Sequence, residues 1–193
     1  GLNVTSPFKT NIIEHLDNLD IVSRETQSVN TIFINSNKKF GFNTDFIGFN
    51  HLVNSIRLSK KTNALILGSG SVSKTISYCL TKKQINHIIV SRTPKNNMIH
   101  YSKLPDIIRK FNLIINTTPL GQYPNTQLAP NIPYQLISNN HYCIDLIYNP
   151  EKTLFLKKCQ KNGAKIINGK SMLFSQANAS WYIWLNYINK NNV

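Results

Sequence analysis

The chain is short of acid: 8 Asp and Glu stand against 22 Lys and Arg, a formal net charge of +14 over 193 residues. It is also short of cysteine and of long apolar runs, and each shortage argues against something. Cys79, Cys143 and Cys159 are odd in number, far apart and set in apolar stretches, which fits buried thiols in a reducing compartment better than a disulfide framework. No apolar run approaches the roughly 20 residues that cross a bilayer, and the first residues lack the charged-then-apolar layout of a secretory signal. A cytoplasmic protein, neither membrane-bound nor secreted, is the expectation. His and Cys are nowhere clustered at ligand spacing, so no metal is expected. The basic residues are not gathered either. They come in ones and twos (Lys38-Lys39, Lys60-Lys61, Lys82-Lys83, Lys157-Lys158), without the interleaved aromatics of a nucleic-acid surface. Nucleic acid is therefore not an expected partner, and the excess supports only long-range steering of small anions.

What is present is enough apolar sequence, 41% of residues, for one good core or two small lobes. Texture changes near residues 58–63, LSKKTN. We divide the chain into a first unit, 1–58, a second, 59–170, and a closing C-terminal helix, 171–193. In the first unit Ile12, Ile13, Leu16 and Leu19 recur at spacings of three and four, which predicts an amphipathic helix. Val29 to Ile34 and Lys39 to Phe42 read as strands around the turn SNKK, and Asp45 to Ile56 as a helix. The second unit alternates strand and helix, with strands at Ala64–Leu67, His87–Val90, Leu113–Ile115 and Tyr142–Ile147. In such sheets ligands sit at the carboxyl ends of the strands. Met172 to Ile188 reads as a long aromatic-rich helix packing between the units.

Two of those strand ends carry chemistry. In ALILGSGSVSKT, Gly68 makes the tight turn between strand and helix, Gly70 admits a pyrophosphate to the backbone amides, and small Ser73 allows close helix packing. At the end of the next strand, IIVSRTPK places Arg92 where a carboxylate would accept the ribose hydroxyls of NAD. An arginine there pairs instead with the 2′-phosphate of NADP. The third strand runs into NTTPLG, a small, polar loop suited to close approach by a cofactor.

The first unit contributes the polar patches NVTSPFK, VNT and NTD. Lys9 follows Pro7, which fixes the backbone before it, and Asp45 sits at a helix start, where the plain reading is an N-cap. A lysine held against a carboxylate in a cleft can also take the proton from a hydroxyl undergoing oxidation.

NVTSPFK, SVNT, FNTDFIGF, GSGSVS, SRT, NTTPLG, DLIYNP and NGKSMLFSQA together resemble, in order and approximate spacing, the shikimate dehydrogenase family. The resemblance runs nearly the length of the chain. It implies an α/β fold: a Rossmann-like NADP-binding domain plus a smaller, N-terminally truncated α/β substrate domain, closed by a C-terminal helix. It implies NADP-dependent interconversion of 3-dehydroshikimate and shikimate in chorismate and aromatic amino-acid biosynthesis. Lys9 corresponds to the family's catalytic lysine and Asp45 to its partner carboxylate. Both would touch the substrate, together with Thr5, Asn30, Tyr148 and Gln176. Gly68, Ser69, Gly70, Ser71, Val72, Ser91, Arg92, Thr93 and Lys95 correspond to the cofactor site, and Leu146 and Gly169 to positions near the nicotinamide.

The chain departs from the family pattern in places. Ser91 replaces the usual Asn and Lys95 stands one place early, which implies a looser 2′-phosphate clamp; Thr10 replaces an acidic residue. The family's upstream strand and serine loop, which bind the substrate carboxylate, are not in the sequence, which we expect to be N-terminally incomplete. A second reading stays open beside the dehydrogenase: a non-catalytic, NADP-binding remnant of the family.

Overall fold

The computed structural model describes residues 1–190. In chain order the elements are β1 (Leu2–Asn3), β2 (Asn18–Leu19), α1 (Ile21–Thr26), β3 (Thr31–Asn35), β4 (Lys38–Phe42) and α2 (Asp45–Asn54). There follow β5 (Asn63–Leu67), α3 (Ser71–Lys82), β6 (Asn86–Ser91), β7 (Ile99–His100), α4 (Leu104–Ile107) and β8 (Leu113–Asn116). The chain continues with β9 (Tyr142–Asp145), α5 (Leu154–Lys161), β10 (Lys165–Ile167) and α6 (Lys170–Lys190). Residues 191–193 of the expected closing helix lie outside the described part.

The strands form two sheets. The larger runs β10-β9-β8-β5-β6-β7 and every pairing in it is parallel. A parallel sheet is covered on both faces, so its central strands read as unbroken apolar runs. Ala64 to Leu67 of β5 and Leu113 to Ile115 of β8 are accordingly fully buried. On one face Leu65, Ile114 and Cys143 pack against Phe155, Leu156 and Cys159 of α5. On the other, Ile66, Ile115 and Ile144 share a core with Ile76 and Leu80 of α3 and with Phe49, Leu52 and Val53 of α2. Thus α2, which the sequence divides into the first unit, also covers the second sheet.

The smaller sheet runs β1-β3-β4-β2. Its central hairpin closes through Ser36 and Asn37, both at positive φ, as a two-residue turn requires. The helix expected over Ile12 to Leu19 is not there. Asn11–His15 makes a short 3-10 turn, and the chain then pairs alongside β4 as the parallel strand β2. The reason is local: Asp17 N donates to Lys39 O at 2.9 Å, Asp17 Oδ2 accepts from Lys39 N at 2.7 Å, and Asp20 N donates to Gly41 O at 3.0 Å. Asp20 then caps α1, accepting from Ser23 N at 2.7 Å. Leu16 and Leu19 remain apolar cover, lying over Gly41.

Asn43 joins the two halves. Its amide donates to Thr26 Oγ1 on α1 at 3.0 Å and to Thr75 Oγ1 on α3 at 2.9 Å, all three residues being buried. Helix α6 packs along α2, and the approach is tight at Gly48, where an added Cβ would stand 2.6 Å from the Met172 carbonyl oxygen. Backbone cannot move aside cheaply, so Gly48→Ala should lower stability by about 1–3 kcal/mol in urea denaturation. Gly70→Ala, whose Cβ meets nothing within 4 Å, should leave the midpoint unchanged.

Candidate active site

The carboxyl ends of the parallel strands open into connected clefts. The first is built on the turn after β5. Gly68 adopts φ +109°, open to glycine but costly for other residues, and a Cβ there would also meet Thr117 and Thr118 at 2.9 Å. Gly70 precedes α3 with open space above it, and the first turn of α3 holds no acidic residue. Helix N-terminus, free backbone amides and empty space together suit a phosphate group. Ser73 is buried and donates to Gly70 O at 2.6 Å, holding the turn from within.

Gly68, Ser69 and Gly70 line a cleft of about 540 Å³ with Ser91, Arg92, Thr93, His100 and Tyr101. Ser69 and Ser91 hydroxyls meet at 3.0 Å, and Ser91 Oγ accepts from Thr93 N at 3.2 Å, so Ser91 ties the turn to the end of β6. Arg92 is exposed, and among the described residues no carboxylate pairs with it. Burial pushes the Tyr101 hydroxyl up from its ordinary pKa, an effect partly opposed by the Arg92 guanidinium. Lys95 is exposed and lines none of the three clefts described here.

A second cleft, of about 510 Å³, collects the polar residues of the first unit with residues of the second: Thr5, Lys9, Asn30, Asp45, Tyr148 and Gln176 among them. At its floor Lys9 Nζ contacts Asp45 Oδ2 at 2.6 Å, with both residues more than 90% buried. Lys9 is held through its backbone, its carbonyl accepting from Val29 N at 2.8 Å. Asp45 is the first residue of α2 and not its cap. The N-cap is Thr44, which makes no capping bond; instead Asp45 Oδ1 accepts from Asn30 Nδ2 at 3.1 Å. Asn30 in turn accepts from Thr44 N at 2.8 Å and donates to Gln176 Oε1 at 3.3 Å. Ser180, one turn beyond Gln176, bonds Thr31 at 2.7 Å and Thr44 at 3.1 Å, docking α6 onto this network.

A third space of about 560 Å³ joins the two, sharing Gly70, Thr117 and Thr118 with the first and Val72, Leu146 and Tyr148 with the second; Ser71 lines this junction. Leu146 and Gly169, which both line the Lys9 cleft, are in contact, since a Cβ on Gly169 would collide with the Leu146 carbonyl oxygen.

Several residues of the site escape a reading of the sequence. Gln122 lines both the junction and the Lys9 cleft, and His100 the nucleotide cleft. Thr44, Thr31 and Ser180 form the polar floor. Thr31 and Thr44 fall in the polar patches VNT and NTD without a role of their own being legible there, and Ser180 left only a small polar residue four after Gln176 on an aromatic-rich helix.

A parallel sheet with a glycine turn after one strand and an unpaired arginine after the next is the layout of NADP-dependent oxidoreductases. The comparisons narrow that class. A family model described as the shikimate dehydrogenase substrate binding domain matches residues 1–32. A shikimate dehydrogenase (NADP(+)) of Methanococcus maripaludis is 39% identical over 202 residues, covering 95% of this chain and 72% of the relative. Shikimate dehydrogenase 1 of Peptoclostridium difficile superposes with a TM-score of 0.86 at 32% identity, over 95% of this chain and 71% of that one. The Thermus thermophilus enzyme, solved with NADP(H) and shikimate, superposes with a TM-score of 0.83 at 26% identity, over 94% and 71%. The chain belongs to the shikimate dehydrogenase family.

Two measurements follow from the buried carboxylates. Removing one partner of a buried ion pair strands the other charge, so Asp45→Ala should cost about 3–5 kcal/mol in denaturant unfolding, whereas an apolar pair of similar size at Lys9 and Asp45 should be close to neutral. Asp145, at the end of β9, is pushed up to about 6 from an ordinary value of 3.8, by burial and against the hydrogen bonds from Thr153, Ile147 and Asn116. The folded chain thus holds this proton more tightly than the unfolded one. The group's stabilisation is complete below about pH 4 and is lost as pH rises through about 6, a change of up to about 3 kcal/mol. Stability measured from about pH 4 to 7 should therefore fall less steeply in Asp145→Asn than in the parent.

Proposed function

We propose that the chain catalyses the reversible, NADP-dependent reduction of 3-dehydroshikimate to shikimate. The observation that carries this reading is the buried Lys9–Asp45 contact at the floor of a cleft continuous with the glycine-turn cleft. NADP(H), when bound, supplies or accepts the hydride. The residues present fit it: open space at Gly70, the N-terminus of α3 for the pyrophosphate, and unpaired Arg92 for the 2′-phosphate.

In the oxidising direction the hydroxyl of shikimate at the reacting carbon binds against the Lys9–Asp45 pair from the cleft side. Its proton passes to the pair as that carbon gives up hydride and becomes a carbonyl. In the reducing direction the pair returns the proton to the carbonyl oxygen. Lys9 and Asp45 are brought together before substrate arrives, so no reorganisation is needed at the moment of transfer. Asn30, bonded to both Asp45 and Gln176, and Gln176 itself are placed to receive further substrate hydroxyls, with Thr5 and Tyr148 on the cleft walls. Leu146 and Gly169 supply the close-packed wall beside the nicotinamide. The ligands are small molecules; division of labour between a substrate-binding unit, 1–58, and a nucleotide-binding unit, 59–170, belongs to the same proposal.

The test is formation of NADPH from NADP with shikimate as substrate. Turnover is expected. Lys9→Ala should reduce kcat by about 10²–10⁴-fold with NADP affinity unchanged. Arg92→Ala should weaken NADP by about 10- to 100-fold, with NAD little affected. Binding of NADP without shikimate turnover in the parent chain would overturn the proposal in favour of a non-catalytic member of the family.

A further inference from the structure

Asp145 is fully buried, and among the described residues no cation pairs with it. Its carboxylate accepts instead from three neutral donors. Oδ1 takes Asn116 Nδ2 and Ile147 N, each at 3.1 Å, and Oδ2 takes Thr153 Oγ1 at 2.6 Å. Burying a carboxylate without a countercharge is costly, so where these donors sit matters.

Ile147 lines the junction between the two clefts, Asn116 directly precedes Thr117 and Thr118, which line it too, and Thr153 is buried. Asn116 passes the contact on: its Oδ1 accepts from Thr118 N at 3.0 Å and Thr118 Oγ1 at 2.7 Å, fixing the loop that walls the nucleotide side. Gly121, at the end of that loop, would place a Cβ 3.5 Å from Thr153 Cβ. Ile147 lies between Leu146 and Tyr148, which wall the Lys9 side. Leu146 N donates to Asn116 O at 3.1 Å, so both walls are sewn together directly beside the carboxylate.

The geometry points to Asp145 as a positioning residue, whose carboxylate brackets the 117–121 loop and the 146–148 strip and so sets the width of the cleft where hydride passes between cofactor and substrate. It rests on the dehydrogenase reading. A carboxylate is acceptor-only and suits three converging donors. An amide of the same shape turns one acceptor into a donor, so one wall loses its tie. An error of about 1 Å in hydride-transfer geometry costs on the order of 100-fold in rate.

The test compares the parent with Asp145→Asn, and Thr153→Val with Thr153→Ser. Calorimetric titration with NADP alone measures the cleft before any chemistry. Turnover of 3-dehydroshikimate with NADPH, either unlabelled or deuterated at C4, then gives the isotope effect on kcat. Asp145→Asn should weaken NADP about tenfold, lower kcat about 10- to 100-fold and raise the isotope effect, because hydride transfer becomes slower relative to product release. Thr153→Val, which keeps the carboxylate but removes one donor, should move the same quantities in the same direction, and Thr153→Ser should restore them. Thr153→Val keeps the test open if Asp145→Asn does not fold. A lower melting temperature with parental NADP affinity and isotope effect would overturn the inference, as would identical behaviour of Val and Ser at 153. Absence of turnover in the parent would overturn the functional reading alone, since the NADP titrations still decide the bracket.

Discussion

The buried contact between Lys9 and Asp45 is the constraint around which the rest of the molecule is arranged. Two opposite charges taken out of water gain little net stability unless their remaining hydrogen-bonding capacity is met. Each surrounding element meets part of it. The N-terminus of α2 puts a partial positive charge beside the Asp45 carboxylate. Asn30, at the entrance to β3, satisfies the second carboxylate oxygen and is itself pinned by the Thr44 amide. The Val29–Lys9 backbone bond ties the lysine to the segment just before β3. The cost of burial therefore falls on a framework of three segments rather than on one.

Placement of that pair beside a nucleotide cleft depends on α2 and α6. Because α2 packs on the parallel sheet as well as on α6, it carries Asp45 to the junction from the same hydrophobic core that underlies the glycine turn. The close crossing at Gly48 brings Gln176 and Ser180 down onto the polar floor. The active site thus lies at the seam of the two sheets, and its geometry is fixed by core packing.

The sequence was most legible where one periodicity served one environment. The apolar runs at β5 and β8, the turn at Gly68 and the long helix α6 could be read because burial on all sides, a tight turn and a helical face each leave a plain pattern. The stretch from Ile12 to Leu19 misled because spacings of three and four also place apolar residues over a sheet edge; backbone bonds to Lys39 and Gly41, more than twenty residues away, decided the outcome. The edge strands β7 and β10 are two and three residues long and exist only through their neighbours. Among the site residues, those in polar patches stood out. Asp145 opens the motif DLIYNP but its role was not legible, since its adjacent residues are apolar and its partners Asn116 and Thr153 come from separate segments. The floor formed by Thr31, Thr44 and Ser180 spans contacts 149 and 136 residues apart in sequence, which no local pattern encodes.

The latch at Asn43 has a consequence for how the molecule responds to its surroundings. It links α1 to α3 through a buried amide and two hydroxyls, with no formal charge among them. Added salt screens the +14 surface and slows the capture of anionic ligands, but it finds nothing to screen in the joint. Ionic strength should thus govern how often a ligand arrives, while the alignment of the two halves that receive it stays the same.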